Sequence, residues 1–187
     1  AIAAPLIFML VGTVRLSGTD PAARLGPRPT IVAFLEKAIR DWPTTGRSTA
    51  CLVLMFDDVD KLISRYGHAA QAEVVRQTAD RLASIVREGD LIVQVERGGI
   101  ALALAPVRRL DLEAVIQMAA RFQSALVAPF SIDAARVHAT VSIGFCLAAR
   151  SPKDNGLALL EAAQVAADEA VRNGPGAIRA FSAEMAK

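Results

Sequence analysis

The run Arg87-Glu88-Gly89-Asp90 sets a guanidinium and a carboxylate three residues apart, where a helical pattern gives way to an apolar run. An arginine fork can pair with phosphate oxygens or with the Hoogsteen edge of guanine. A carboxylate can accept from the N–H donors of the same base. The spacing equally suits a salt bridge at a helix end. A second polar cluster, Asp57, Asp58 and Asp60, comes after another apolar run, and Glu96 comes later. Carboxylates of this kind can hold a hard divalent cation. Without a cation, the same loop reads as a solvated turn whose acids cap the next helical turn. His68 by itself is no metal centre and reads as a hydrogen-bonded hinge of that loop.

Composition bounds what can position these groups. The chain has 187 residues, enough for one domain with a full core. Hydrophobic residues make up 53% and charged residues 21%, which excludes a disordered chain. A net charge of +2 gives no argument for a nucleic-acid partner. Cys51 and Cys146 each lie inside apolar runs and read as core thiols of a reducing, cytoplasmic compartment. No stretch reaches the length needed to span a bilayer, and a membrane connection stays open. The start at Ala1, without an initiator Met, reads as a cut from a longer protein. Residues 1–19 are then a linker or the end of a preceding segment, and residues 20–187 the domain.

The elements are set by periodicity. Leu6–Val11 and Val14–Leu16 suit short strands, and the proline-rich stretch Asp20–Pro29 breaks the chain. Thr30 is placed to cap a helix over Ile31–Arg40 that Trp42-Pro43 ends. Thr49–Phe56 is a buried strand, Asp57–His68 a polar stretch with a short helical turn, and Ala69–Arg87 a longer helix. Leu91–Val95 and Ile100–Ala105 form a hairpin. Its turn carries Glu96 and Arg97 at the tip, with Gly98 and Gly99 supplying positive φ. Asp111 caps a helix over Leu112–Val127, and Arg136–Ala148 is one long strand with Gly144 inside it. Leu157–Arg172 is a helix stopped by Asn173-Gly174-Pro175, and Ile178–Phe181 a last strand. The order suits an α/β fold, a mixed sheet flanked by helices with a central hairpin.

These motifs, taken together, resemble the GGDEF domain family, the diguanylate cyclase fold. Tyr66-Gly67-His68, Val141-Ser142-Ile143-Gly144 and the Ala163, Ala166, Ala170, Gly174 pattern match family segments in order and spacing. Asp20, Leu25 and Arg28 match its entry motif. The family's signature is Gly-Gly-Asp/Glu-Glu-Phe, preceded by an Arg two residues upstream. Here Gln94 holds the Arg place, and Glu96, Arg97, Gly98, Gly99 and Ile100 hold the signature.

The resemblance implies a nucleotidyl cyclase-like sheet and assigns roles to places. Met55 holds the first cation-binding Asp place, and Gly98 and Gly99 hold the acidic pair. Ile63 holds the guanine-reading Asn place, Ala72 the following Asp place and Val171 the phosphate-binding Lys place. The implied chemistry is therefore absent: no catalysis, no metal and no cofactor. Arg87 and Asp90 match the family's inhibitory Arg-x-x-Asp in register, and Arg121 falls on the place of its second Arg. Arg40 lies near the place of an Arg donated by a neighbouring domain, and otherwise reads as a helix C-terminal charge. The implied ligand is cyclic di-GMP. The implied partners are a second copy or an adjacent output domain such as an EAL phosphodiesterase. The alternative is a ligand-free structural or dimerisation domain.

Overall fold

The computed structural model describes residues 28–187. The expectations for Leu6–Val11, Val14–Leu16, Asp20 and Leu25 lie outside the described residues. In chain order the elements are α1 (Arg28–Thr45), β1 (Ala50–Phe56), α2 (Val59–Tyr66), α3 (His68–Ala83), β2 (Leu91–Gln94), β3 (Ile100–Ala103), α4 (Leu112–Ala125), β4 (Phe130–Ile132), β5 (Ala135–Val137), β6 (Val141–Leu147), α5 (Gly156–Asn173) and β7 (Ile178–Ala180). Five strands form one sheet in the order β2-β3-β1-β6-β7, and β4-β5 is a separate hairpin. All pairs of the main sheet are antiparallel except β6 with β7.

β1 is buried on both faces, so its seven residues are continuously apolar rather than alternating. Leu52, Leu54 and Phe56 join the core under α3 and α4, with Val74, Leu82, Val115 and Phe122. Cys51, Val53 and Met55 join the opposite core under α1 and α5, with Ile31, Leu35, Leu159 and Ala163. The face of α5 in the second core is rich in alanine, Ala162, Ala163 and Ala167, because α5 lies almost on the sheet. A Cβ added to Gly144 would lie 1.8 Å from the Ala167 amide nitrogen. Gly144 is thus required by close approach of two backbones.

Several boundaries differ from the periodic reading. α1 continues past Trp42-Pro43 to Thr45, and Thr30 lies inside it rather than capping it. Pro43 is tolerated in the last turn, two residues from the end. The polar stretch after β1 forms a full helix, α2, whose exposed Asp60 and Lys61 and half-buried Leu62 and Ile63 give it an amphipathic face. α3 stops at Ala83, four residues before Arg87. The single strand over Arg136–Ala148 is two, because the chain leaves β5 of the separate hairpin at Val137 and joins the main sheet at Val141. At the hairpin tip Arg97 and Gly98 take positive φ while Gly99 is extended, so one glycine serves where the pattern calls for two. Asp111 does cap α4, accepting from the Ala114 amide at 2.8 Å.

β3 carries a bulge at its far end. Cys51 faces Ala103, and the Leu104 amide donates to the Ala50 carbonyl. The pairing then resumes at Ser48 with Val107, so Ala105 and Pro106 together oppose Thr49. One extra residue has been inserted on the β3 side, which bends that strand and re-aims the segment beyond it.

Candidate functional site

Two regions hold the residues singled out by sequence, and they lie at opposite ends of the sheet. At the first end, β1 finishes at Phe56 beside the tip of the β2–β3 hairpin. Met55 is buried, and a Cβ added to Gly99 would lie 2.5 Å from its Sδ, 2.9 Å from Val95 and 3.2 Å from the Leu54 carbonyl. Gln164 of α5 donates to that thioether at 3.7 Å. A Cβ at Gly98 would meet Gln71 of α3 at 2.6 Å. The space beside β1 is therefore filled by a thioether and closed by neighbouring side chains.

The acids nearby are committed elsewhere. Asp57 accepts from Thr140 Oγ1 and Ser142 Oγ, both at 2.7 Å, and from the Gly176 amide at 3.0 Å. It ties β1, β6 and the turn after α5 together, and caps no helix. Asp58 and Asp60 are exposed, and Asp58 makes no side-chain capping bond. Glu96 pairs with Arg28 at 3.3 Å, and Arg97 with Asp168 at 3.2 Å. Both tip residues are exposed, and their pairs flank a cleft of about 350 Å³ lined also by Val95, Leu160 and Gln164. Among the described residues no three His, Cys, Asp or Glu side chains are grouped to hold a metal ion. Met55, Gly98 and Gly99 offer no anionic oxygen, so this end does not fit a hard divalent cation. His68 opens α3 as an exposed residue with no side-chain hydrogen bond among the described residues, so it is not the bonded hinge expected of it.

At the second end, Asp90 is 5% exposed. Its Oδ2 accepts from the Arg87 amide at 2.8 Å and its Oδ1 from the Ala105 amide at 2.7 Å. Asp90 therefore closes its own turn and satisfies the N–H that the bulge leaves unpaired. Pro106, the next bulge residue, has no N–H to satisfy. Arg87 is exposed on this turn, Arg121 is exposed on α4 and Arg40 is exposed on α1.

The diguanylate cyclase GGDEF domain profile matches residues 17–176. The chain belongs to the GGDEF domain family. No curated protein matches this GGDEF domain in sequence. Among solved structures it is similar to the GGDEF domain of PA1120 (TpbB or YfiN) from Pseudomonas aeruginosa. That likeness has 26% identity over 87% of this chain and 93% of the other, with a TM-score of 0.79. The coiled coil and GGDEF domain of DgcB from Caulobacter crescentus, in complex with c-di-GMP, shares the fold at 20% identity. It covers 95% of this chain and 93% of the other, with a TM-score of 0.74. Diguanylate cyclase SiaD of Pseudomonas aeruginosa, in complex with its activator SiaC, shares it at 18% identity. There the cover is 95% and 65%, with a TM-score of 0.78.

The remaining places assigned by the family resemblance differ in burial. Ile100 is fully buried opposite Gln94, Ile63 is half-buried on α2, Ala72 is exposed on α3 and Val171 is 37% exposed on α5. Sequence reasoning missed Gln164 and Asp168. Their spacing of four on α5 was the available signal, since it puts both on one face toward the tip. It also missed the bulge, whose trace in the sequence is Pro106 just beyond an apolar strand. Among the described residues no helix is long and apolar enough to cross a membrane.

Proposed function

We propose that this GGDEF domain is catalytically silent and acts as a regulatory module that binds cyclic di-GMP. The observation that carries the silent half is Met55 seated against Gly99, where the family places cation ligands. Condensing two GTP molecules needs anionic oxygens to hold divalent cations on the phosphates. A thioether and two glycines supply none. An apolar Ile63 leaves a guanine edge unpaired on desolvation.

Binding is assigned to Arg87 and Arg121, with Asp90 holding the turn. Exposure of both arginines supports it, since each can offer a planar fork to phosphate or guanine. That solved GGDEF domains are complexed with c-di-GMP supports the ligand class. A second reading, a ligand-free structural or dimerisation domain beside an output domain, is favoured by Asp90. Both of its oxygens already accept backbone N–H groups, so it has a complete structural role without ligand.

Calorimetric titration with cyclic di-GMP and with GTP separates the two readings. Arg87→Ala or Arg121→Ala should each weaken cyclic di-GMP binding about 10- to 150-fold. Arg87→Lys should restore only part, because a point charge lacks the fork. No heat with the dinucleotide would leave the structural reading. Incubation with GTP and Mg²⁺ or Mn²⁺ should yield no cyclic di-GMP, and protein-dependent product would overturn the silent half.

A further inference from the structure

The bulge that ends β3 is followed by arginines on two adjoining chain segments. Ser48 and Val107 exchange both backbone hydrogen bonds, and Arg47 and Arg108 are the next residues beyond that isolated bridge. Like charges on neighbouring segments repel. Arg109 comes directly after, so three guanidiniums issue from two adjoining chain segments, all three residues exposed. None of the three pairs with a carboxylate among the described residues. The nearest acids in sequence are committed elsewhere: Asp111 caps α4, Glu113 accepts from Gln117, and Asp41 pairs with Lys37.

Backbone features set which residues lie beyond the bridge. Without the extra residue at Ala105 and Pro106, Ser48 would fall opposite Pro106 rather than Val107. Gly46, at φ 66°, turns the chain out of α1 into this pairing, and the Arg47 amide donates to Thr45 Oγ1 at 3.2 Å. Asp90 fastens the bulge from the other side through the Ala105 amide. Three like charges on two segments joined beside a fastened bulge, with no acid supplied to offset them, suit a counter-ion from solution.

We propose that Arg47, Arg108 and Arg109 form a binding site for a compact, multiply charged soluble phosphate, independent of the cyclic di-GMP assignment. Guanidinium forks match phosphate oxygens bidentately, and several phosphates on one small molecule can meet three forks on two short segments. The site shares its bulge with the Arg87 turn but needs neither Arg121 nor a guanine base.

Sodium tripolyphosphate is the probe, titrated calorimetrically into the 187-residue chain. Wild type should bind it, and raising ionic strength from ~0.01 M to ~0.15 M should weaken binding as the screening length falls from about 30 to about 8 Å. Arg47→Gln and Arg108→Gln should each weaken it about tenfold. Arg136→Gln, an exposed arginine on β5, should leave it unchanged. Thermal melts at low salt keep the test independent of folding. Arg108→Gln should melt no lower than wild type, since it relieves a like-charge pair, yet lose the rise in Tm that tripolyphosphate gives wild type. No binding by wild type, or equal weakening in Arg136→Gln, would overturn the site. So would retention on phosphatidylglycerol vesicles without tripolyphosphate binding, because the surface would then be a lipid contact. Loss of cyclic di-GMP binding with tripolyphosphate binding intact would overturn only the earlier assignment.

Discussion

The two ends of the central sheet have gone opposite ways. At the hairpin tip the positions beside β1 are a methionine and two glycines, packed until little room is left for a side chain. What polarity remains there is spent on tip ion pairs and on Asp57, which ties three segments together. At the other end a buried carboxylate is used to hold the backbone, and arginines stand out from the segments it holds. The difference is one of satisfaction. The tip end is closed, with acceptors met by donors from the same chain. The far end satisfies its backbone and leaves cations exposed beside it. A site for an outside anion is built more readily on the second pattern than on the first.

The comparison breaks most sharply at Asp90. Asp90→Ala strands two N–H groups, those of Arg87 and of the bulge at Ala105, and should cost about 2–4 kcal/mol by chemical denaturation. Asp90→Asn keeps one acceptor and should cost about half as much. Amide exchange at Ala105 should accelerate in both variants. A loss within the range of an ordinary surface change would show that the far end is not held by this carboxylate.

Next comes the tip. Gly99→Asp returns an acid to the signature but drives a side chain into Met55 and Val95, and should destabilise by about 1–3 kcal/mol. Adding Met55→Ala should recover part of that loss, a coupling expected of residues in contact. If Gly99→Asp melts like wild type, the tip is not filled as described.

Smaller still is the contribution of the tip ion pairs. The side chains of Glu96 and Arg97 are 83% and 69% exposed, so alanine at either should change stability by no more than about 0.5 kcal/mol. A larger loss would mean that the tip is held by charge as well as by packing.

A further small effect, seen only in acid, tests α3, which runs between the two ends. Hydrogen bonds from Arg76 and then Gln77 hold the Glu73 carboxyl down at about 2. A carboxyl lowered on folding adds stability that is present above its unfolded value, about 4.3, and is lost as pH falls through the folded value. The pair is about a third exposed, so screening limits the effect to under ~1 kcal/mol. Glu73→Gln should remove that increment, seen as a shallower fall in stability below about pH 4. An unchanged acid limb would assign the fall to other carboxylates.

Much of this was legible in the sequence because it rests on local pattern. The apolar run of β1, the cap at Asp111, the stop after Asn173 and the hairpin between Leu91 and Ala105 are each set by residues within a few positions. Motif order was enough to point to the GGDEF family, and the sequence alone shows that positions 55, 98 and 99 carry no anionic side chain. Tertiary structure alone decided what the polar residues do. Asp57 and Asp90 look alike in sequence, acids at the edge of an apolar run, yet one binds side chains some 85 residues away and the other a bulge 15 residues away. The pairing of Ser48 with Val107 depends on one inserted residue in β3, and no periodicity registers a single insertion across a sheet. Apolar burial is dictated by residue type. Hydrogen-bond partnership is dictated by distance, and distance across a fold is set only when the chain has closed on itself.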